Sequence, residues 1–153
     1  MGKSTYCKAH LNGIAKHSWD DLRVQFYLEH EKVSAKLQAD EKRLYDFAHA
    51  YALAHNSEFK RFTQVEFVKQ LNSQQAVIVD NTNTIKRNRD ELIDTARNKG
   101  YQIVAIYFLS SVDTLYQRNQ SRTDKYLTTK VIDKMYYNTT MPVLGEVEHI
   151  IIV

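Results

Sequence analysis

The sequence predicts an α/β domain built on a mostly parallel sheet. Three observations predict it. Two short apolar runs, "AVIVD" (76–80) and "YQIVAIYF" (101–108), have the continuous hydrophobicity of strands covered on both faces. Segments with helical spacing separate them and flank them. A third apolar run, "HIIIV" (149–153), follows the last helical pattern. Helix and strand alternating in this way imply parallel strands joined by crossovers.

The elements follow in order. Residues 3 to 11 can form a short helix, and Asn12-Gly13 is a turn signal. "IAKHS" reads as an extended piece. A helix follows over "DDLRVQFYLEHEK", with Asp20 as a candidate N-cap. In "EKRLYDFAHAYALAH" (41–55), Leu44, Phe47, Ala48, Tyr51 and Ala52 fall on one face, and Asp40 is placed to cap the helix. "TQVEFVKQLN" offers Thr63 as an N-cap with Glu66 completing a capping box, and Phe67, Val68 and Leu71 as the buried face. "DELIDTARNK" (90–99) is a helix stopped by Gly100. "SVDTLYQRNQSR" and "TTKVIDKMYYN" are two further helices.

The totals set bounds. With 153 residues, 43% apolar and 25% charged, the chain is one ordinary globular domain, 1–153. Its net charge of +3 permits a polyanionic partner without requiring one. Cys7 is the single cysteine, so neither a disulfide framework nor a cysteine zinc site is available. The six histidines match no metal-ligand spacing. No apolar run is long enough to span a membrane. No secretion signal opens the chain, and Tyr6 spoils a myristoylation signal at Gly2. The expectation is a cytoplasmic protein.

Four stretches could carry chemistry. Gly2-Lys3-Ser4-Thr5 has the order in which a helix N-terminus receives phosphates, a lysine reaches the terminal ones and a hydroxyl meets magnesium. The same residues could simply begin a helix. Asp80 closes an apolar strand, at the edge where open α/β sheets bind ligands, and can hold a cation through its water shell. Asp80 and Asn83 could equally be turn residues. Arg118 and Arg122 are four apart and share a helix face, with Lys125 in a looser segment behind them. Paired guanidiniums suit a transferring phosphoryl group; a solvated basic face is the plainer explanation. In "DDLR", Asp20 could accept a proton from an attacking hydroxyl, or only cap its helix.

Taken together, "GKST", "DDLR", "VIVDNTNTIKRNRDEL", "GYQIVAIYF", "LYQRNQSR" and "VIDKMYYNTTMP" resemble the small P-loop kinases of the polynucleotide kinase type. The resemblance spans nearly the whole chain. It implies an AAA-like, ATP-dependent kinase domain with a P-loop NTPase-like three-layer sandwich. It implies phosphoryl transfer from ATP with Mg2+. The acceptor would be a nucleic-acid 5′ end or another small hydroxyl substrate. Gly2, Lys3, Ser4 and Thr5 would bind nucleotide, with Ser4 on the metal. Asp20 would be the general base and Arg23 an acceptor contact. Asp80 would serve the metal, with Asn81 as a competitor for that role. Asn83 and Arg89 would lie on the acceptor side, and Arg118 and Arg122 in a lid over the triphosphate. A small-molecule or nucleotide kinase and a non-catalytic nucleotide- or nucleic-acid-binding module are the alternatives.

Two departures from that pattern stand out. Residues 24–75 are long for one connection and read as a helical insertion, a candidate substrate cap. The strand and first glycine expected before Gly2 are absent from the sequence, so the first strand is apparently missing. A fragment, a late-start reading frame or a degenerate protein is then expected. Such a chain should bind ATP poorly or not at all; tight magnesium-ATP binding by these 153 residues would contradict it.

Overall fold

The computed structural model describes residues 2–121 and 127–153, apart from the side chain of Ser4. The chain forms two compact units. One is continuous, Gly13–Asn81. The other joins the segment up to Asn12 with Thr82–Val153.

The continuous unit contains β1 (Ala15–His17), α2 (Trp19–His30), α3 (Ala35–Gln38), α4 (Glu41–Ala54), α5 (Asn56–Ser73) and β2 (Val77–Val79). The Asn12-Gly13 turn before it is real: Gly13 has φ +84°, a left-handed conformation that glycine adopts without a Cβ clash. β1 and β2 pair in parallel, with Ala15 opposite Val77 and His17 opposite Val79. The core lies among the helices. Leu22 and Phe26 of α2 meet Ala52 of α4 and Phe59 of α5, with Tyr51 and Phe62 against them.

Two capping expectations change here. Asp20 is not the N-cap of α2. Ser18 holds that position, its Oγ accepting from Asp21 N at 3.4 Å, and Asp20 sits in the first turn. Thr63 caps nothing. It lies inside α5, buried, and its hydroxyl donates to Lys60 O at 2.8 Å. The buried stripe Phe59, Thr63, Phe67, Leu71 advances four residues at a time straight through it. Asp40 does cap α4, accepting from Arg43 N at 3.0 Å. Phe47 was expected on the buried face of α4 and is 47% exposed; Leu44, Ala48 and Ala52 are the residues that go inside.

The split unit contains α1 (Lys3–His10), α6 (Lys86–Arg97), β3 (Val104–Tyr107), α7 (Val112–Gln120), α8 (Thr129–Tyr137) and β4 (His149–Ile152). β3 and β4 pair in parallel, Val104 opposite His149 and Tyr107 opposite Ile152. Helix α6 begins a turn earlier than the sequence suggests. Its first amide, Lys86 N, donates to Thr140 Oγ1 at 2.9 Å, a cap supplied from 54 residues away. Gly100 (φ +82°) ends the α6 region as expected.

The named ladders among the described residues are parallel, and each sheet has two strands. The strands are shorter and wetter than expected. β2 covers only Val77–Val79 and is half-buried, and Val104 of β3 is 49% exposed. A parallel pair buries both faces only when helices cover both. No described helix is long and apolar enough to cross a membrane.

Candidate functional site

In the continuous unit, the carboxyl ends of β1 and β2 are tied together just where the ladder stops. Asp80 N donates to His17 O at 2.9 Å, and Trp19 N donates to Asn81 Oδ1 at 2.7 Å. These bonds set the start of α2 beside the end of β2, so the strand edge carries Asp20 and Asp80 from two different segments. The Asp80 side chain is only 9% exposed. Lys16 Nζ stands 4.0 Å from Asp80 Oδ2 and 2.9 Å from Asp21 Oδ2. The Asn81 side-chain amide nitrogen is buried with no hydrogen-bond partner among the described residues. Nearby polar chemistry therefore has an unmet donor to answer.

Asp20 is more open, its side chain 55% exposed. Its Oδ1 accepts from Arg23 Nη1 at 2.6 Å and from the Tyr45 hydroxyl at 2.9 Å. Arg23 is better held, 18% exposed, with its guanidinium 5.7 Å from the centre of the Phe59 ring. A first-turn carboxylate is favoured by the positive end of the helix dipole. An oriented, solvent-reachable carboxylate beside an arginine can take a proton from a hydroxyl whose own phosphate the arginine attracts.

His17 was not legible as part of this region. It is 1% exposed, its ring 4.8 Å from that of Phe67. Gln70 gives its amide N–H to Lys16 O at 3.2 Å, which turns its oxygen toward His17 Nδ1 at 3.1 Å. The imidazole proton therefore sits on Nδ1 and donates to Gln70. Nε2 is left buried without a partner among the described residues. Burial pushes the His17 pKa down, against smaller upward contributions from the Gln70 bond and from Glu66. The only sequence signal was alternation: Ala15 and His17 share one face of β1.

In the split unit, Gly2 is the N-cap of α1 and offers no side-chain acceptor; Tyr6 N donates to its carbonyl at 2.9 Å. The first-turn amides of α1 thus lack a side-chain cap, the condition under which a helix start receives anions. Lys3 and Thr5 are exposed there, and the Ser4 side chain lies outside what the structure describes. Tyr6 anchors the helix by an edge contact with Phe108, 5.5 Å between ring centres.

Arg89 and Asn83 meet, but through the backbone. Arg89 Nη1 donates to Asn83 O at 3.0 Å and to Thr140 O at 2.9 Å. Nε and Nη2 grip Glu146 at 2.5 and 3.2 Å. The guanidinium expected on the acceptor side is thus engaged by protein oxygens. Glu146, which the sequence did not single out, is 3% exposed at its side chain, and the Arg89 bond holds its carboxyl below the usual range. Arg118 is exposed on α7, its Nη1 3.4 Å from Ser110 Oγ. Arg122 and Lys125 lie outside the described residues.

No three described His, Cys, Asp or Glu side chains form a metal cage. A magnesium ion that arrives with a nucleotide needs only one or two carboxylates, the rest coming from phosphate and water. Asp80, a carboxylate at the strand edge with its side chain 9% exposed, suits that smaller demand.

A protein of Autographa californica nuclear polyhedrosis virus with the provisional name bifunctional polynucleotide kinase/RNA ligase is 27% identical over 136 residues, 88% of this chain. This chain spans 19% of that protein's length. The family model described as AAA domain matches residues 1–142, nearly the full length, and the chain belongs to that family.

Proposed function

We propose that this chain is a kinase-like phosphotransferase domain of P-loop, three-layer architecture that moves the γ-phosphoryl group of ATP to a 5′-hydroxyl of a polynucleotide. The observation that carries the reading is the Asp20–Arg23 pair beside Asp80 at the carboxyl end of a parallel β pair. The family match and the viral relative's name support it.

Each residue has a role in the proposal. Asp20 accepts the proton of the attacking hydroxyl. Arg23 draws in the phosphate next to that hydroxyl. Lys3, at the uncapped start of α1, neutralises charge on the phosphates, with Gly2, Ser4 and Thr5 presenting backbone amides to them. The resemblance assigns the magnesium ion to Asp80 and Ser4, which would hold it while it screened the developing charge. The resemblance assigns Arg118 and Arg122 to a lid over the triphosphate, Arg122 lying outside the described residues. Arg89 acts at one remove, by fixing the Asn83 carbonyl.

The experiment is transfer of label from γ-labelled ATP to 5′-hydroxyl DNA and RNA oligonucleotides by an N-terminally extended version of the chain, with nucleosides as competing acceptors. Labelled oligonucleotide is expected. Asp20→Asn should lower the rate by about two orders of magnitude or more, the usual worth of a general base. Lys3→Ala should also remove most of it. Label on nucleosides alone would move the acceptor class to small molecules. Transfer that is indifferent to Lys3 and Asp20 would defeat the proposal.

A further inference from the structure

The helical segment between Arg23 and β2 has no role in the chemistry above, yet one of its side chains reaches the reacting group. Tyr45 lies on the second turn of α4, half-buried, and its hydroxyl donates to Asp20 Oδ1 at 2.9 Å. Leu44 and Ala48 on the same helix are buried. They fix how α4 is rotated, and hence where Tyr45 points. The His49 ring stacks on Tyr45 at 5.9 Å and 20°. The next helix acts on the partner residue: Phe59 of α5 lies under the Arg23 guanidinium and meets Trp19 edge-on at 6.1 Å. The first turn of α2 is therefore held from outside by two aromatic side chains, one on α4 and one on α5.

We propose that Tyr45 is a positioning residue for Asp20. With Arg23 it places two donors, from different helices, on one carboxylate oxygen, and together they restrain the plane of that carboxylate. This rests on the reading of Asp20 as the general base, and it gives residues 24–75 a function: they brace the base. The effect is modest because Asp20 is half-exposed, and Tyr45 acts through it without touching the substrate.

The test is Tyr45→Phe, which keeps the ring and its stacking on His49 and removes only the hydroxyl. In the label-transfer assay kcat should fall roughly two- to tenfold with KM little changed, the range expected for one hydrogen bond. The acid limb of the pH–rate profile should move to higher pH, because the carboxylate loses a donor. In an Asp20→Asn background the same substitution should add nothing, since it acts through that carboxylate. Equal losses in both backgrounds would overturn the proposal. A second readout does not need activity: the Asp20 carboxyl carbon is followed by NMR as pH is varied, in the unsubstituted chain and in Tyr45→Phe. Movement of the midpoint to higher pH supports the bond, and an unmoved midpoint overturns it. If transfer survives Asp20→Asn, the assignment of the base has failed, and this titration alone decides whether Tyr45 governs Asp20.

Discussion

The two units each contain a parallel pair of strands, and they are held by different forces. In the continuous unit the pair lies under α5, whose Phe67 meets the His17 ring, and the helices share the Leu22–Phe26–Ala52–Phe59 core. In the split unit β3 and β4 stay open, with Ile151 43% and Ile152 58% exposed. There the loops are fastened by charge. Arg89 grips Glu146. Arg97 Nη2 donates to Glu148 Oε1 at 2.6 Å, and Glu148 Oε2 accepts from Ile103 N at 2.6 Å, closing the start of the β3–β4 ladder. Apolar burial is non-directional and tolerates drift, whereas a buried ion pair is costly to break on one side. The continuous unit should therefore respond to lost volume and the split unit to lost charge.

The largest expected effect is Phe26→Ala. Phe26 is 1% exposed and touches Tyr51, Phe59 and Phe62, so truncation should cost about 3–5 kcal/mol in denaturant unfolding. Amide exchange in α2, α4 and α5 should accelerate with it. A loss below about 1 kcal/mol would mean that this core does not hold the unit.

Next comes Arg89→Met, which strands a buried carboxylate. About 3 kcal/mol is expected, read by thermal or denaturant unfolding. Pairing it with Glu146→Leu should recover much of the loss, because the uncompensated charge is gone. If the double variant is as unstable as the single one, packing and not charge explains Arg89.

The pH dependence separates the units more finely. His17 has a folded pKa below its unfolded value of 6.5, so the unfolded chain binds the proton first. Its contribution is complete above pH 6.5 and is lost as pH falls below it. The Glu146 pKa is also lowered in the fold, from 4.5, so its contribution persists to more acid conditions and fades only below that value. Amide exchange across pH 7 to 4 should show the continuous unit loosening first. His17→Gln should abolish that first step and leave the second.

The smallest effect concerns the α7–α8 contact. Tyr116 donates to Asp133, and that bond, with lesser contributions from burial and the Asp133 charge, pushes its pKa up to about 12. Ultraviolet titration should find the Tyr116 phenol ionising late, with Tyr51 also raised by burial, and Tyr116→Phe should remove the Tyr116 step alone with a slight fall in melting temperature. A titration that Tyr116→Phe leaves without the loss of a late step would mean that the bond does not form in solution.

Legibility followed distance along the chain. Asp40, Gly13 and Gly100 act on backbone groups within four residues, and each was readable. Thr63 shows how a local signal misleads. The spacing Thr63-x-x-Glu66 is that of a capping box, but Glu66 accepts from Lys69 at 2.6 Å and the helix had already begun at Asn56. The stripe from Phe59 to Leu71 was visible in the sequence and carried the better information. For the candidate site, Asp20, Arg23 and Asp80 were picked out by residue type and order. Tyr45, His17, Glu146 and Thr140 were not, because their partners stand 25 to 57 residues away.

The sequence by itself determined the α/β class, the parallel strands and the family. These follow from periodicity, turn chemistry and motif order, all of which are local. Only the tertiary structure decided that Arg89 is gripped by Glu146, that Thr140 caps α6, and that a tyrosine from the helical segment holds Asp20. Those choices depend on which distant donor reaches which acceptor, and the chain settles that only when its helices pack.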